Sequence, residues 1–334
     1  VKVFVTGGTG FLGQELLRQL IDAKISVRAL VRDRHVRLPA GVEGVESSLE
    51  AEPKAGIPLA DAIAGVDAVL HLAGRVSRDP AEGPAMHALH VEGTKRLLLA
   101  MEAAKVKRLL LASTSGTIAC DKREGRLATE ADSASIEVIG RWPYYVSKRL
   151  QEQEVLRQHA AKRIEAIILS PSLVLGPGDE RLSSTEDVHR ILSGRFPAIT
   201  EGTVAMVDVR DAAAAFVSAL KKGRPGERYL LNGANLSVRA FVERVCRAGG
   251  VSPPALRLSE KWAVLGAKLV EGAYYAMDRS SPIDVVSVEM GCHHWGCSAE
   301  KAKAELGFVA RDPQDTIVDT IRDLERRGIF RRRR

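Results

Sequence analysis

The segment Thr6-Gly7-Gly8-Thr9-Gly10-Phe11-Leu12-Gly13 follows a strand-like apolar run at residues 1–5 and leads directly into an amphipathic stretch. That order of strand, glycine-rich turn and helix start constrains the chain more than any other feature. Gly7 supplies the φ > 0 geometry of a tight turn, Gly10 lets the backbone close on a pyrophosphate, and Gly13 lets the helix lie close on the strand. The free N–H groups of the helix start carry a partial positive charge suited to phosphates. Gly8, Gly10 and Gly13 also have the spacing G-x-G-x-x-G. Loops meet that spacing by chance, so its place between strand and helix is what marks a dinucleotide site.

The first half of the chain continues as an alternation. Residues 26–31, 68–72, 108–112 and 165–169 read as strands, and 15–23, 59–64, 86–105 and 144–159 as helices. Such alternation builds βαβ crossovers and a parallel sheet, so the fold class is α/β. Residues 67–74 form a strand that ends in Leu72-Ala73-Gly74, a small-residue turn at the carboxyl edge where open α/β sheets bind ligands. Beyond Pro171 the pattern turns irregular, with Gly176-Pro177-Gly178-Asp179 marking a loop. The expected organisation is a nucleotide-binding domain over 1–175, a lobe over 176–330 and a basic tail at 331–334. Segments near 204–232 are expected to return to the first sheet.

With 334 residues, 45% of them hydrophobic, there is material for about two domains. No apolar run approaches the ~20 residues of a membrane span, and the chain opens on strand and phosphate loop instead of a leader. The expectation is a soluble, cytoplasmic protein. Four scattered cysteines build no disulfide framework. The formal charge of +7 owes much to Arg326, Arg327 and Arg331 to Arg334. Without interleaved aromatics such a run reads as a solvated tail, so no nucleic-acid partner is expected.

Pro143 opens a helix that places Tyr144 and Lys148 four residues apart on one face. An ammonium beside a phenol favours phenolate and is expected to lower the tyrosine pKa from about 10, so that it exchanges a proton near neutral pH. Y-x-x-x-K alone is common in helices. Here the strand at 108–112 also ends in the hydroxyl cluster Ser113-Thr114-Ser115-Gly116-Thr117.

These motifs together resemble an extended short-chain dehydrogenase/reductase of the NAD-dependent epimerase/dehydratase superfamily. The glycine turn, Leu70-His71-Leu72-Ala73-Gly74, the serine cluster, Tyr144 with Lys148, Ser170-Pro171-Ser172 and Val207-Asp208-Val209-Arg210-Asp211 fall in the family's order, and residues 298–308 extend the match. Within that family the chain is most similar to bacterial proteins like dihydroflavonol 4-reductase and 3-beta-hydroxysteroid dehydrogenase. The resemblance implies a Rossmann-type doubly wound parallel sheet with a smaller C-terminal substrate-binding lobe. It also implies Ser115 as the serine that hydrogen-bonds the reacting oxygen, with Ser113 and Thr114 as register alternatives. Tyr144 would be the acid of reduction or the base of oxidation, and Lys148 would hold the nicotinamide ribose. Residues 6–13, Leu72 to Gly74, Pro171 and Ser172 would line the cofactor.

Three positions depart from the family or decide the cofactor. His90 stands where many relatives have the asparagine that holds a proton-relay water, and it reads as a structural histidine. Ser47-Ser48 before Leu49 replaces the usual Gly-Asp near the adenine, leaving Ser48 and Leu49 as the contacts. Arg32, with Arg34 and Arg37 nearby, ends the second strand where an acidic residue would hold the ribose 2′-hydroxyl of NAD. A guanidinium fork suits a 2′-phosphate, so NADP(H) is favoured, with NAD left open because of Asp33.

The function implied is reduction of a ketone or aldehyde, or oxidation of the alcohol, on a small, moderately apolar molecule. The alternatives are a nucleotide-sugar epimerase or dehydratase that retains NAD, and a non-catalytic NAD(P)-binding regulator. A homodimer is left open. The segment Cys292-His293-His294-Trp295-Gly296-Cys297 has no second ligand pair, so no metal is expected. Residues 261–277 are expected to form a helix whose apolar side covers the substrate pocket. Arg141, Trp142 and Arg181, on loops that shape substrate choice, are candidate substrate contacts.

Overall fold

The first strand, β1 (Lys2–Thr6), is buried on both faces: Val3 and Val5 enter one apolar core, and Phe4 enters the other. A strand covered on both sides needs layers above and below it, and only parallel strands with crossover helices supply them. The computed structural model describes residues 1–33, 35–50, 56–196, 198–279, 281 and 283–332. Among them β1 is followed by β2 (Ser26–Val31), β3 (Val42–Glu46), β4 (Ala68–His71), β5 (Arg108–Ala112), β6 (Glu165–Pro171), β7 (Leu173–Leu175), β8 (Thr203–Asp208), β9 (Arg228–Leu231) and β10 (Ala234–Ser237).

Seven of these form one sheet in the order β3-β2-β1-β4-β5-β6-β9, all pairs parallel. Val3 lies beside Val27 on one side and Ala68 on the other. Helices Phe11–Asp22, Val209–Lys222 and Glu300–Leu306 cover one face through Leu16, Leu20, Phe216 and Leu306. Helices Leu59–Ile63, Gly93–Ala103 and Pro143–Ala160 cover the other through Ile63, Leu97, Met101 and Val155. This is the doubly wound Rossmann-like architecture. Strand order reverses between β1 and β4, where such sheets open a crevice at their carboxyl ends.

A third core, around Leu175, Met206, Phe241, Val245 and Ile321, holds together a smaller lobe. Its sheet runs β10-β8-β7, with β8 antiparallel to β10 and parallel to β7. The stretch around 204–209 therefore does not return to the large sheet as expected. Only β9 does, beside β6, while helix Val209–Lys222 carries the chain back across the large sheet's face. Pairing partners far apart in sequence decide that choice, and the local pattern of 203–208 suits either sheet.

Part of the excess of arginine near the C-terminus is engaged by acids. Arg326 and Arg327 pair with Asp323, and Arg332 with Glu325. Arg333 and Arg334, like Arg34, lie outside the described residues. Among the described residues no helix is long and apolar enough to cross a membrane.

Candidate active site

Residues 6–13, 72–74, 113–117 and 171–172 leave the adjacent parallel strands β1, β4, β5 and β6 at the same edge. The glycine turn is crowded in the way close backbone packing demands. Gly7 has φ +73°, and a Cβ there would lie 2.5 Å from the Ala73 nitrogen, while one on Gly13 would lie 2.1 Å from the Gly7 carbonyl oxygen. Helix Phe11–Asp22 starts behind Gly10 with no side-chain cap, so its first-turn N–H groups point into the edge unclaimed by the protein's own side chains. This cradle fits a pyrophosphate. Leu72 N–H donates to the Thr6 carbonyl at 3.0 Å, which locks the turn against residues 72–74.

Arg32 is exposed just past β2. The Asp33 carboxylate accepts from His35 N–H at 2.8 Å within its own loop. The Ser48 hydroxyl likewise accepts from Glu50 N–H at 3.0 Å, and buried Leu49 packs beside Gly93.

Tyr144 and Lys148 stand on helix Pro143–Ala160, which begins with Pro143 where a missing N–H costs nothing. Lys148 is buried, and its ammonium donates to the Ala112 carbonyl at 2.7 Å and to Gln151 Oε1 at 2.8 Å. Two neutral acceptors hold the charge and leave a third N–H for a ligand. Burial lowers its pKa to about 8, against the opposing pull of Glu152. Tyr144 behaves differently from the expectation. Enclosure pushes its phenol up to about 12, offset in part by a hydrogen bond with Thr114. Lys148 does not lower it, because the ammonium is turned to Ala112 and Gln151. At neutral pH the phenol therefore keeps its proton.

The hydroxyl cluster divides three ways. Ser113 donates to the buried Glu152 carboxylate, which also accepts from Thr117 at 2.8 Å and pairs with Arg228 at 3.5 Å. Ser115 is buried, and its hydroxyl works against the burial that raises the Cys297 thiol. Thr114, part-exposed at the start of the 3₁₀ turn Ser115–Thr117, is the hydroxyl that meets Tyr144. Of the three register alternatives, Thr114 is the one within reach of the phenol. Pro171 ends β6 and Ser172 follows it, with the Ser172 hydroxyl donating to the Leu231 carbonyl at 3.2 Å and lying 3.0 Å from Asn232 Oδ1.

Beneath these residues runs a buried polar chain with assignable protons. Ala73 N–H donates to Thr6 Oγ1 at 3.2 Å, and Thr6 donates to His71 Nδ1 at 2.6 Å. Thr94 gives its proton to the His90 carbonyl at 2.5 Å, so the remaining ring proton of His71 sits on Nε2, 2.9 Å from Thr94 Oγ1. Gln151 Nε2 donates to Thr94 at 2.8 Å, tying this chain to Lys148. His90 lies in a π-helical turn, Ala88–Glu92. Its Nε2 accepts from Arg75 N–H at 2.9 Å, so Nδ1 carries the proton and donates at 2.8 Å to Ser147, which donates at 2.8 Å to the Tyr144 carbonyl. With both nitrogens engaged, His90 holds the start of the Tyr144 helix. Burial, with Lys148 nearby, lowers His71 to about 3 and His90 to about 2, so both are neutral.

Across the edge, Arg78 binds Asp187 with two hydrogen bonds, 2.8 and 2.6 Å, and donates to Ser287 at 2.9 Å. This clasp joins the loop after β4 to helices Glu186–Leu192 and Val285–Gly291. Burial alone would raise Asp187, but the Arg78 guanidinium holds it below the usual carboxylate range. No spacing in the sequence signals a pair 109 residues apart. Gln151, Thr94 and His71 were equally silent, although Gln151 stands one turn from Lys148.

Two further expectations change, those for Trp142 and for the helix at 261–277. Trp142 is no open substrate contact: it is buried, stacked on Trp295 at 5.7 Å. Arg141 pairs with Glu289 at 3.4 Å, and Arg181 is exposed. Cys292 and Cys297 are buried thiols, and the His293 ring bonds the Glu289 carbonyl at 2.7 Å. Among the described residues no three potential ligands gather around a metal position. Helix Glu260–Ala276 does not lay its large apolar side chains over the pocket, since only Ala263 and Ala267 are buried.

The family model described as the NAD dependent epimerase/dehydratase family matches residues 3–231. A protein of Synechocystis sp. that carries a dihydroflavonol 4-reductase name is 29% identical over 337 residues, covering 97% of this chain and 95% of its own. The 2-alkyl-3-oxoalkanoate reductase of Stenotrophomonas maltophilia is 29% identical, covering 97% and 98%. The crystal structure of gox2253 superposes with a TM-score of 0.83 at 29% identity, covering 98% of this chain and 99% of that one.

Proposed function

The chain belongs to the NAD dependent epimerase/dehydratase family and is an NAD(P)-dependent enzyme of the extended short-chain dehydrogenase/reductase type, and from that premise we propose that it is an NADP(H)-dependent reductase of a ketone or aldehyde on a small, moderately apolar molecule. The observation that carries this reading is the placement of Tyr144 on helix Pro143–Ala160, one turn before buried Lys148 and within reach of Thr114, at the edge where the glycine turn also ends. The nicotinamide, when bound, supplies the hydride. The protein's residues do the rest: Thr114 and Tyr144 hydrogen-bond the substrate oxygen, Tyr144 gives it a proton, and Lys148 binds the cofactor's ribose with its remaining N–H. Ser115, in the same turn, is the alternative hydroxyl.

Preference for the 2′-phosphate is supported by the exposed guanidinium of Arg32 and the engagement of Asp33 in its own loop. The apolar character of the substrate is supported by the relative named 2-alkyl-3-oxoalkanoate reductase. A nucleotide-sugar epimerase with retained NAD would use the same edge but would show no net cofactor use. The test is Tyr144→Phe. It is expected to lower turnover at least a hundredfold while NADPH affinity changes less than about threefold, because proton transfer by a positioned acid contributes roughly 10²–10⁴. Undiminished turnover in that variant would remove the proposed acid.

A further inference from the structure

Gln151 is wholly buried, and its amide is committed at both ends. It stands three residues after Lys148 on helix Pro143–Ala160, and its Oε1 accepts from the Lys148 ammonium at 2.8 Å. Its Nε2 donates to Thr94 Oγ1 at 2.8 Å. Thr94 gives its own proton to the His90 carbonyl and accepts from His71 Nε2 as well, so its one proton and two lone pairs are all used. The amide is therefore fixed in one orientation, because a reversed group would set donors against the ammonium and its oxygen against a hydroxyl with no proton left to give. From His71 the chain continues through Thr6 to the Ala73 N–H, whose nitrogen a Cβ on Gly7 would meet at 2.5 Å. Lys148 and the phosphate turn thus rest on one hydrogen-bonded chain, with Gln151 as the joint to the lysine. Glu152, one turn beyond Lys148, is turned to Ser113, Thr117 and Arg228. Among the described residues Lys148 forms no ion pair, and the Ala112 carbonyl and Gln151 are the acceptors of its ammonium.

We propose that Gln151 is a positioning residue for Lys148, its fixed oxygen aiming the ammonium's remaining N–H at the cofactor ribose and holding the positive charge at the active-site edge, a role that rests on the cofactor-binding reading of Lys148. Burial strips the ammonium of water, and a desolvated lysine keeps its proton only as far as its acceptors compensate. Desolvation lowers Lys148 to about 8 in spite of Glu152. Loss of the Gln151 acceptor therefore favours the neutral amine, and a carboxylate in its place favours the ammonium. The other groups that face Lys148 keep one protonation state between neutral pH and about pH 10. His71 of β4 and His90 of the π-helical turn are neutral, and Tyr144, one turn earlier on the same helix, holds its proton. Glu152 has the Arg228 guanidinium of β9 beside it, and β5 presents the uncharged Ala112 carbonyl.

The experiment is the NADPH dissociation constant, read by fluorescence titration without turnover from about pH 6.5 to about pH 10, for the parent, Gln151→Met, Gln151→Glu and Lys148→Met. Where binding depends on a charged lysine, affinity falls once pH passes the lysine's pKa in the free protein. The parent is expected to bend at about pH 8, and Lys148→Met to show no bend. Gln151→Met keeps the length of the side chain without the acceptor and is expected to move the bend down by about one pH unit. Gln151→Glu is expected to move it up by about one. A merely structural role for Gln151 gives no reason for the two variants to move one titration in opposite directions. A bend that stays in place in both variants, moves the same way in both, or persists in Lys148→Met overturns the proposal, and so does a parent with no bend. Should circular dichroism show that Gln151→Met does not fold, the upward shift in Gln151→Glu decides alone. A protein that shows these shifts in binding and yet consumes no NADPH with carbonyl compounds would remove the reductase reading and leave the role of Gln151 standing.

Discussion

Acidification should loosen this protein well before its carboxylates titrate. His71 and His90 are both neutral in the fold, lowered to about 3 and about 2 from 6.5, because each is buried, engaged at both ring nitrogens and near the Lys148 ammonium. A histidine whose folded pKa is depressed contributes stability that is present above its unfolded pKa. That stability is lost as pH falls from 6.5 toward the folded value, since the unfolded chain binds the proton and the folded one does not. Between pH 7.5 and 5.5 the linkage relation gives about 1.4 kcal/mol for each ring, or about 3 kcal/mol together, against typical domain stabilities of about 5–15 kcal/mol. His189 and His293 are lowered as well and act in the same direction. The assay is the urea unfolding midpoint at the two pH values, with the parent compared against His90→Asn. Asparagine removes one titrating site, so the loss between pH 7.5 and 5.5 should shrink by about 1.4 kcal/mol whatever the variant's absolute stability. A parent equally stable at both pH values, or a variant with the same pH dependence, would refute the reasoning that these rings stay neutral.

Three further outcomes follow from the same geometry. Thr114→Val should lower kcat roughly tenfold or more with little change in cofactor affinity, whereas Ser115→Ala should be milder; steady-state kinetics of the pair decides which hydroxyl faces the substrate. Gly13→Ala forces a Cβ to within 2.1 Å of the Gly7 carbonyl, so thermal unfolding should fall by about 1–3 kcal/mol and NADPH titration should show weakened binding. Arg32→Ala should remove most of the preference for NADPH over NADH, about 1–3 kcal/mol for a charge-assisted contact, as read by titration of both nucleotides.

The glycine turn was legible because its constraints are local: each glycine answers to a backbone contact made within the same strand-turn-helix unit or with the next strand. The parallel sheet was legible for a related reason, since alternating buried runs leave few other ways to cover both faces. The hydroxyl cluster was legible only as a cluster. Whether residue 113, 114 or 115 meets Tyr144 depends on how the 3₁₀ turn rotates after β5, and adjacent hydroxyls in the sequence carry no record of that rotation. Tyr144 and Lys148 were correctly placed on one helix face, but the direction of the tyrosine shift was not readable, because it depends on the Ala112 carbonyl and Gln151 capturing the ammonium. Helix Glu260–Ala276 shows the same limit. Its period declares an apolar side, and the period is identical whether that side meets a core or solvent.

The central claim is that the protein passes reducing equivalents out to a carbonyl substrate instead of returning them within one turnover. The direct measurement is the ratio of NADPH oxidised to alcohol formed, followed with an alkyl-substituted ketone over many turnovers. The account predicts a ratio of one, with free NADP⁺ accumulating. Turnover of a nucleotide sugar with tightly held NAD and no net loss of reduced cofactor would contradict it.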